Sequence, residues 1–297
     1  MDKIILIDNN KIKLSNPSKL LWDNLSITKE EYIKYLVLLS PYILKYAKNR
    51  YLTTIRYPDG YNKKFFYQKK VPSYAPDFVD TCQWKDGSKY INLNNKSTLI
   101  WLGNLASLEF HTTFNTINKP NSPTNLVFDL DPSEGQVFEQ VIEVALKINE
   151  TLKKLNITSY VKTSGATGLQ IYIPLGNRYD YDTARKISKF FAEYFASKYS
   201  NLITIERLKE KRGKKLYFDY LQMWEGKSII TPYSPRATEN ATISMPLKWE
   251  EVEKGIKPKD YTIINAIDRI NAIGDLFEPL LNEETASNIE FVLQEIK

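Results

Sequence analysis

A single cysteine, Cys82, and a single histidine, His111, are all that this 297-residue chain offers of the softer metal ligands. One cysteine excludes an internal disulfide framework. One cysteine and one histidine together cannot complete the four-ligand site of a structural zinc ion. Any bound cation must be held mainly by carboxylates and other oxygens, the donor set that suits Mg²⁺ or Mn²⁺. Long apolar runs are also missing. The longest, such as Tyr35-Leu-Val-Leu-Leu39, falls far short of the roughly 20 residues that cross a bilayer. The start, Met1-Asp-Lys-Ile-Ile5, lacks the basic region, apolar stretch and small-residue cleavage site of a secretory signal, so a cytoplasmic chain with no membrane partner is expected. No internal repeat and no low-complexity linker interrupts it. A content of 42% hydrophobic and 26% charged residues is that of an ordinary globular protein and argues against wholesale disorder.

The net charge of +6 is less telling than where the charge sits. Eight basic residues lie between Lys45 and Lys70 against one acid, Asp59, interleaved with Tyr46, Tyr51, Tyr57, Tyr61, Phe65, Phe66 and Tyr67. A second basic cluster runs from Arg207 to Lys215. Cations mixed with aromatics suit phosphate contact and base stacking. A solvated charged face over buried rings has the same composition.

Periodicity divides the chain near residue 120 into an N-terminal αβ lobe, about 1–120, and a second lobe, about 121–297, of one catalytic unit. Ile4–Leu14 reads as a strand pair turning at Asp8-Asn-Asn10, and Asn16-Pro-Ser-Lys19 as a turn. Thr28-Lys-Glu-Glu31 is a capping-box pattern that opens a helix through about Tyr46. Tyr51–Tyr57 and Lys64–Lys69 read as strands, and Leu105–Phe110 as helical. Beyond Asn125 the order is strand (Leu126–Asp131), helix (Gly135–Leu155), strand (Ser159–Thr163), strand (Leu169–Pro174), helix (Tyr181–Tyr199), then strands near Ile203–Leu208 and Lys215–Gln222. That order is the split βαβ, ferredoxin-like or RNA-recognition-like arrangement, an α+β class.

Three aspartates stand out on this scaffold. Side chains alternate along a strand, so Asp129 and Asp131 project from one face while Phe128 and Leu130 project from the other. Two carboxylates so placed repel, and a cation relieves the cost of ionising both. Asp219 lies in Tyr217-Phe-Asp-Tyr-Leu221 on the last predicted strand, which the split βαβ topology can bring beside the first. Three carboxylates can hold two hard cations about 4 Å apart for an in-line phosphoryl transfer. The plain alternative is that Asp131 opens a turn before Pro132 and Asp129 caps a helix. Between two strands lies Thr163-Ser-Gly-Ala-Thr-Gly168, a loop in which Gly165 lets the backbone approach a polyphosphate and Ser164 and Thr167 add hydroxyls. A plain hairpin turn uses the same residues, and no Gly-Lys-Ser/Thr ending makes it a Walker loop.

Three segments together, Phe128-Asp-Leu-Asp-Pro-Ser133, Thr163-Ser-Gly-Ala-Thr-Gly-Leu-Gln-Ile-Tyr-Ile-Pro-Leu175 and Phe218-Asp-Tyr-Leu-Gln222, resemble motifs I, II and III of the archaeo-eukaryotic primase superfamily. More narrowly, the chain resembles the polymerase domain of bacterial DNA ligase D, which also occurs as a stand-alone protein. The closer likeness continues through Gly226-Lys227, Thr231-Pro-Tyr-Ser-Pro-Arg236 and Ser244-Met-Pro-Leu-Lys-Trp-Glu-Glu251. Upstream it takes in Asn16-Pro-Ser-Lys19, Arg56-Tyr-Pro-Asp-Gly60, Phe65-Phe-Tyr-Gln-Lys69 and Leu108-Glu-Phe-His111. It spans about residues 10 to 260 in order.

The resemblance implies a primase-polymerase fold and a template-dependent nucleotidyltransferase. Such an enzyme fills gaps and processes ends in non-homologous end joining, usually prefers ribonucleotides and Mn²⁺, and works with Ku, a DNA ligase and the nucleoid. It implies that Asp129, Asp131 and Asp219 bind two Mn²⁺ or Mg²⁺ ions, and that Ser164 and Arg236 hold the NTP or dNTP triphosphate with Arg56 beside them. His111 would lie near the metals and phosphates, Phe66 or its neighbour Phe65 would stack on a base, and Lys19 would recognise the 5′-phosphate of a gapped duplex. One departure stands in motif II, where the family commonly has histidine and this chain has Gln170. Glutamine still donates and accepts hydrogen bonds but carries no charge, so it is expected to tune sugar contact or metal preference. Three rivals share parts of this pattern: a replicative-type primase, a two-metal nuclease, and an end-binding scaffold without catalysis.

Overall fold

The computed structural model describes residues 3–296 as two compact units. Among the described residues, unit 1 comprises 3–113, 228–244 and 261–274, and unit 2 comprises 114–227, 245–260 and 275–296. The first crossing falls between Thr113 and Phe114, and the chain returns to unit 1 twice.

Unit 1 opens with the hairpin β1 (Lys3–Ile7) and β2 (Asn10–Leu14). Its turn puts Asp8 and Asn9 at φ 46° and 64°, the left-handed conformation that Asp and Asn tolerate best among non-glycine residues. After the short pair β3 (Leu20–Trp22) and β4 (Ile27–Thr28) comes α1 (Lys29–Ala47). Thr28 and Glu31 form the expected capping box, each satisfying a backbone N–H of the other. The helix buries Tyr32, Leu36, Leu39 and Ile43 on one face.

Strands β5 (Leu52–Arg56) and β6 (Phe66–Gln68), the small hairpin β7 (Thr81–Gln83) and β8 (Lys89–Ile91), and helix α2 (Lys96–Asn104) follow. The segment expected to be helical, Leu105–Phe110, is instead mostly strand, β9 (Ser107–Thr113). Asn104 ends the helix, Ala106 takes φ 58°, and β9 slots between β5 and β15 (Ser228–Ile230) in an antiparallel sheet ordered β15-β9-β5-β6. A short apolar run reads alike in a buried strand and a buried helix, and here pairing on both sides decides.

Unit 2 is built on β10 (Asn125–Asp131), α3 (Phe138–Lys154), β11 (Tyr160–Thr163), β12 (Leu169–Pro174), α4 (Tyr181–Lys198), β13 (Ile203–Thr204), β14 (Leu216–Phe218) and β16 (Pro246–Leu247). The sheet runs β13-β14-β10-β12-β11-β16. Its central four, β14-β10-β12-β11, are antiparallel and give the split βαβ order expected from sequence. The mixture of helices with a largely antiparallel sheet makes the chain α+β.

Burial alternates over the last four residues of β10. Phe128 and Leu130 are fully buried while Asp129 and Asp131 are half-buried. Phe128 packs against Phe191 and Phe195 of α4 and Phe218 of β14, with ring centroids 5.5, 6.4 and 4.9 Å away. This aromatic layer fixes the register of β10, because a one-residue slip would carry the carboxylates into the core and the rings out of it. Short helices α5 (Trp249–Glu253) and α7 (Glu290–Glu295) belong to unit 2, and α6 (Ala266–Ile273) to unit 1. Among the described residues no helix is long and apolar enough to cross a membrane.

Candidate active-site residues

In unit 2 the three aspartates meet at the C-terminal end of β10. Leu130 and Asp131 pair with Phe218 and Tyr217 of β14. The strand then stops, so Asp219 lies just beyond it rather than on it, capping a 3₁₀ turn over Tyr220–Gln222. Its backbone N–H donates to the Asp129 carbonyl at 3.1 Å. Its Oδ1 accepts from the Tyr217 hydroxyl and from the Leu221 N–H, each at 3.1 Å. Asp129 accepts on Oδ1 from the Gln170 amide at 2.9 Å. Withdrawal from water pushes the Asp129 carboxyl up to about 7, and the charges of Asp131 and Asp219 push the same way. Gln170 and Lys162 oppose the rise without cancelling it.

Among the described residues no group of three or more His, Cys, Asp or Glu side chains is gathered closely enough to hold an ion as it stands. The donor set nevertheless fits a hard divalent cation. It is all carboxylate oxygen, the charges of Asp131 and Asp219 push the Asp129 carboxyl up, and a cation is what relieves that repulsion.

The motif II loop closes against this strand. Ser164 donates its N–H to the Gly168 carbonyl at 2.9 Å, and its Oγ accepts from the N–H groups of Ala166 and Gly168 at 3.2 and 3.1 Å. Gly165 takes φ 76°, and Thr167 is exposed. A Cβ on Gly168 would lie 2.5 Å from the Leu130 carbonyl and 3.6 Å from an Asp131 carboxylate oxygen. Glycine there lets the loop backbone rest directly on the carboxylate strand. An open cleft of about 680 Å³ runs from Pro132–Glu139 to Ala166 and Thr167, with Lys257 and Lys259 on its wall.

In unit 1 the structure gathers His111 and Arg236 around a residue that sequence reasoning passed over, Glu109. Glu109 is 4% exposed. Its carboxylate lies 3.0 Å from His111 Nε2 and 3.3 Å from an Arg236 guanidinium nitrogen. It also accepts from the Tyr57 hydroxyl at 3.3 Å and the Ala237 N–H at 3.2 Å. Burial alone would raise the Glu109 carboxyl, but the His111 hydrogen bond and the Arg236 charge outweigh it and hold it below its ordinary value. The carboxylate can only accept, so the proton of this bond sits on His111 Nε2. Arg236 Nε is buried without a hydrogen-bond partner among the described residues. His111, Arg236, Tyr67 and Lys69 line a cleft of about 590 Å³.

Arg56 and Phe66 are directly opposite each other on β5 and β6, with the guanidinium 4.9 Å from the ring centre. Arg56 also donates to the Leu105 carbonyl, Gln68 and the Tyr74 hydroxyl. Phe66 is 45% exposed and Phe65 52%, so neither ring is spent on the core. Lys19 is paired with Asp59 at 2.7 Å. Sequence reasoning did not single out Lys29 at the start of α1, which is 5% exposed and donates to the Ser15 carbonyl at 2.7 Å. Burial lowers its ammonium to about 8, and the positive charges of Lys19 and Arg56 add to the shift.

The family model of the LigD primase-polymerase domain matches residues 28–277. The bifunctional non-homologous end joining protein LigD of Bacillus subtilis is 39% identical over 289 residues, which is 97% of this chain and 47% of that protein. The multifunctional non-homologous end joining protein LigD of Mycolicibacterium smegmatis is 29% identical over 91% of this chain and 36% of its own length. The chain therefore spans less than half the length of these relatives. Among solved structures, the polymerase domain of Mycobacterium tuberculosis ligase D, in complex with DNA, superposes with a TM-score of 0.83 at 27% identity, covering 93% of this chain and 99% of that one. The motifs, the sheet order and these matches agree: the chain belongs to the LigD primase-polymerase domain family.

Proposed function

We propose that this chain is a template-dependent nucleotidyltransferase that fills gaps and processes ends in non-homologous end joining, preferring ribonucleotides. The observation that carries the reading is the meeting of Asp129, Asp131 and Asp219 at one end of the unit 2 sheet, in a chain of this family. In this reading those carboxylates would hold two Mn²⁺ or Mg²⁺ ions. Ions held there would supply a lowered pKa for a primer 3′-hydroxyl and charge neutralisation for the leaving pyrophosphate. The chain's own residues position and shield charge.

In the same reading, Ser164, Gly165 and Thr167 present loop hydroxyls and amides to phosphate oxygens. Arg236 and His111 lie ready in the unit 1 cleft, with the buried Arg236 Nε available to an anionic acceptor. Arg56 lends its charge beside the exposed Phe66, whose face is open to a base. Gln170 tunes the sugar or metal contact, and Gln170→His should shift nucleotide or metal preference; kinetics equal to wild type across both would remove that role. Ku and a DNA ligase are the expected protein partners, and a gapped duplex with a 5′-phosphate the expected DNA.

The direct test is extension of such a duplex with rNTP or dNTP and Mn²⁺ or Mg²⁺. Template-matched addition is the expected result. Strand cleavage without addition would point to a nuclease, and tight DNA binding without addition to a scaffold. Priming without a 3′-end would point to a replicative-type primase.

The 5′-phosphate assignment carries a pH dependence. In this reading Lys19 would meet the phosphate, the buried Lys29 would add its charge from behind, and Lys29 loses its proton near pH 8. A bound phosphate stabilises the ammonium, so the preference for a 5′-phosphorylated over a 5′-hydroxyl gap should weaken as pH rises from 7 to 9. Fluorescence anisotropy with the two duplexes measures it. A preference that is flat with pH would take Lys29 out of the site.

A further inference from the structure

A lysine has no ordinary place inside a sheet, yet Lys162 on β11 is 0% exposed. Tyr172 of β12 lies beside its ammonium, 5.7 Å from nitrogen to ring centre, and Phe277 packs against that ring at 5.2 Å between centroids. Burying an ammonium is costly unless its surroundings compensate it. The register says what it does there. Lys162 is directly opposite Gln170, and Gln170 is directly opposite Asp129. Directly opposed residues share a face of a sheet, so the three side chains form one row across β11, β12 and β10. The contacts run along that row. The Lys162 ammonium donates to Gln170 Oε1, and Gln170 Nε2 donates to Asp129 Oδ1 at 2.9 Å.

Chemistry at the two ends fixes the polarity of the amide in the middle. An ammonium has donors and no acceptor, and an ionised carboxylate has acceptors and no donor. Only one orientation of Gln170 satisfies both. Its oxygen must face Lys162 and its NH₂ must face Asp129, although an isolated amide has no such preference. We infer that Lys162 is a positioning residue for Asp129, acting through Gln170 to hold that carboxylate in one orientation for a divalent cation. The inference rests on the nucleotidyl-transfer reading of the three aspartates and adds to it a residue that touches neither substrate nor metal. Groups that orient a metal-binding carboxylate in this way typically change affinity by about 10- to 100-fold when removed.

The experiment is Mn²⁺ titration of the full chain, without nucleotide or DNA, followed by electron paramagnetic resonance of the free ion. It compares wild type, Lys162→Met, Gln170→Met and the double variant, with thermal melts alongside. Lys162→Met should weaken Mn²⁺ binding about tenfold. Because Lys162 acts through Gln170, the double variant should bind no more weakly than Gln170→Met alone. A merely structural lysine would instead give losses that multiply, and that result, or unchanged Mn²⁺ affinity in a folded Lys162→Met, overturns the inference. Should Lys162→Met fail to fold, Lys162→Gln replaces it. A glutamine presents either donor or acceptor and no longer dictates which end of Gln170 faces it, so the same loss and the same non-additivity are expected. Wild type that neither binds Mn²⁺ nor adds nucleotides would sink the underlying reading as well. Wild type that does both, beside an unaffected Lys162 variant, sinks the role of Lys162 alone.

Discussion

Asp219→Asn is expected to reduce nucleotide addition on a gapped, 5′-phosphorylated duplex by about 10³-fold or more, with DNA binding largely intact. Asparagine is the informative choice because Asp219 has a structural role as well. Its Oδ1 caps the 3₁₀ turn by accepting from the Leu221 N–H and from the Tyr217 hydroxyl. The asparagine carbonyl can accept both bonds, so the turn and the end of β14 should survive. What asparagine removes is the negative charge beside Asp129 and Asp131. Asp219→Ala takes away cap and charge together and should cost stability in addition to activity. If Asp219→Asn kept wild-type turnover while Asp219→Ala lost it, the residue would be a cap and not a ligand, and the three-carboxylate site would have to be abandoned. Primer-extension rates and binding anisotropy, read on the same preparations, separate these outcomes.

The parts of this site that period alone dictates were legible in the sequence. Asp129 and Asp131 share a face because strand side chains alternate, and Phe128 and Leu130 needed a core on the other side. The neighbouring of β10 and β14 followed from element order. Strand ends did not follow so well, since pairing rather than composition ends them. The expected strand over Lys215–Gln222 is only Leu216–Phe218, and Asp219 gains its position from a turn. Leu105–Phe110 failed for a related reason, as a short apolar run carries no period long enough to tell helix from strand.

Lys162 was invisible because charge predicts exposure, and only the pairing of three strands turns a lysine inward. Glu109 did leave a signal. It stands two residues before His111, and on a strand that spacing places both on one face.

Glu109→Ala should be the most damaging single change in unit 1. The carboxylate is the shared acceptor for His111, Arg236, the Tyr57 hydroxyl and the Ala237 N–H. Removing one partner of a buried charge pair leaves the other uncompensated, which typically costs about 3–5 kcal/mol. At about 2–4 °C per kcal/mol for a protein of this size class, the melting temperature should fall by roughly 6–20 °C. The function should suffer separately. Arg236 and His111 lose the group that aims them, so KM for the nucleotide should rise about tenfold or more beyond any loss of folded protein. Glu109→Gln keeps the volume and an acceptor for the Ala237 N–H, but its NH₂ cannot serve Arg236 and His111 as the carboxylate does. It should therefore recover more stability than nucleotide affinity. The same carboxylate gives the wild type an acid sensitivity of known sign. Its folded pKa lies below the ordinary value, so its contribution is complete above the unfolded carboxylate pKa and is lost as pH falls through the folded one. The difference between thermal melts of wild type and Glu109→Ala should narrow as pH falls from 7 toward 3, because protonation removes from the wild type the charge that the substitution removes from the variant. A gap in melting temperature that stayed constant over that range would mean that Glu109 stabilises unit 1 by packing rather than by charge.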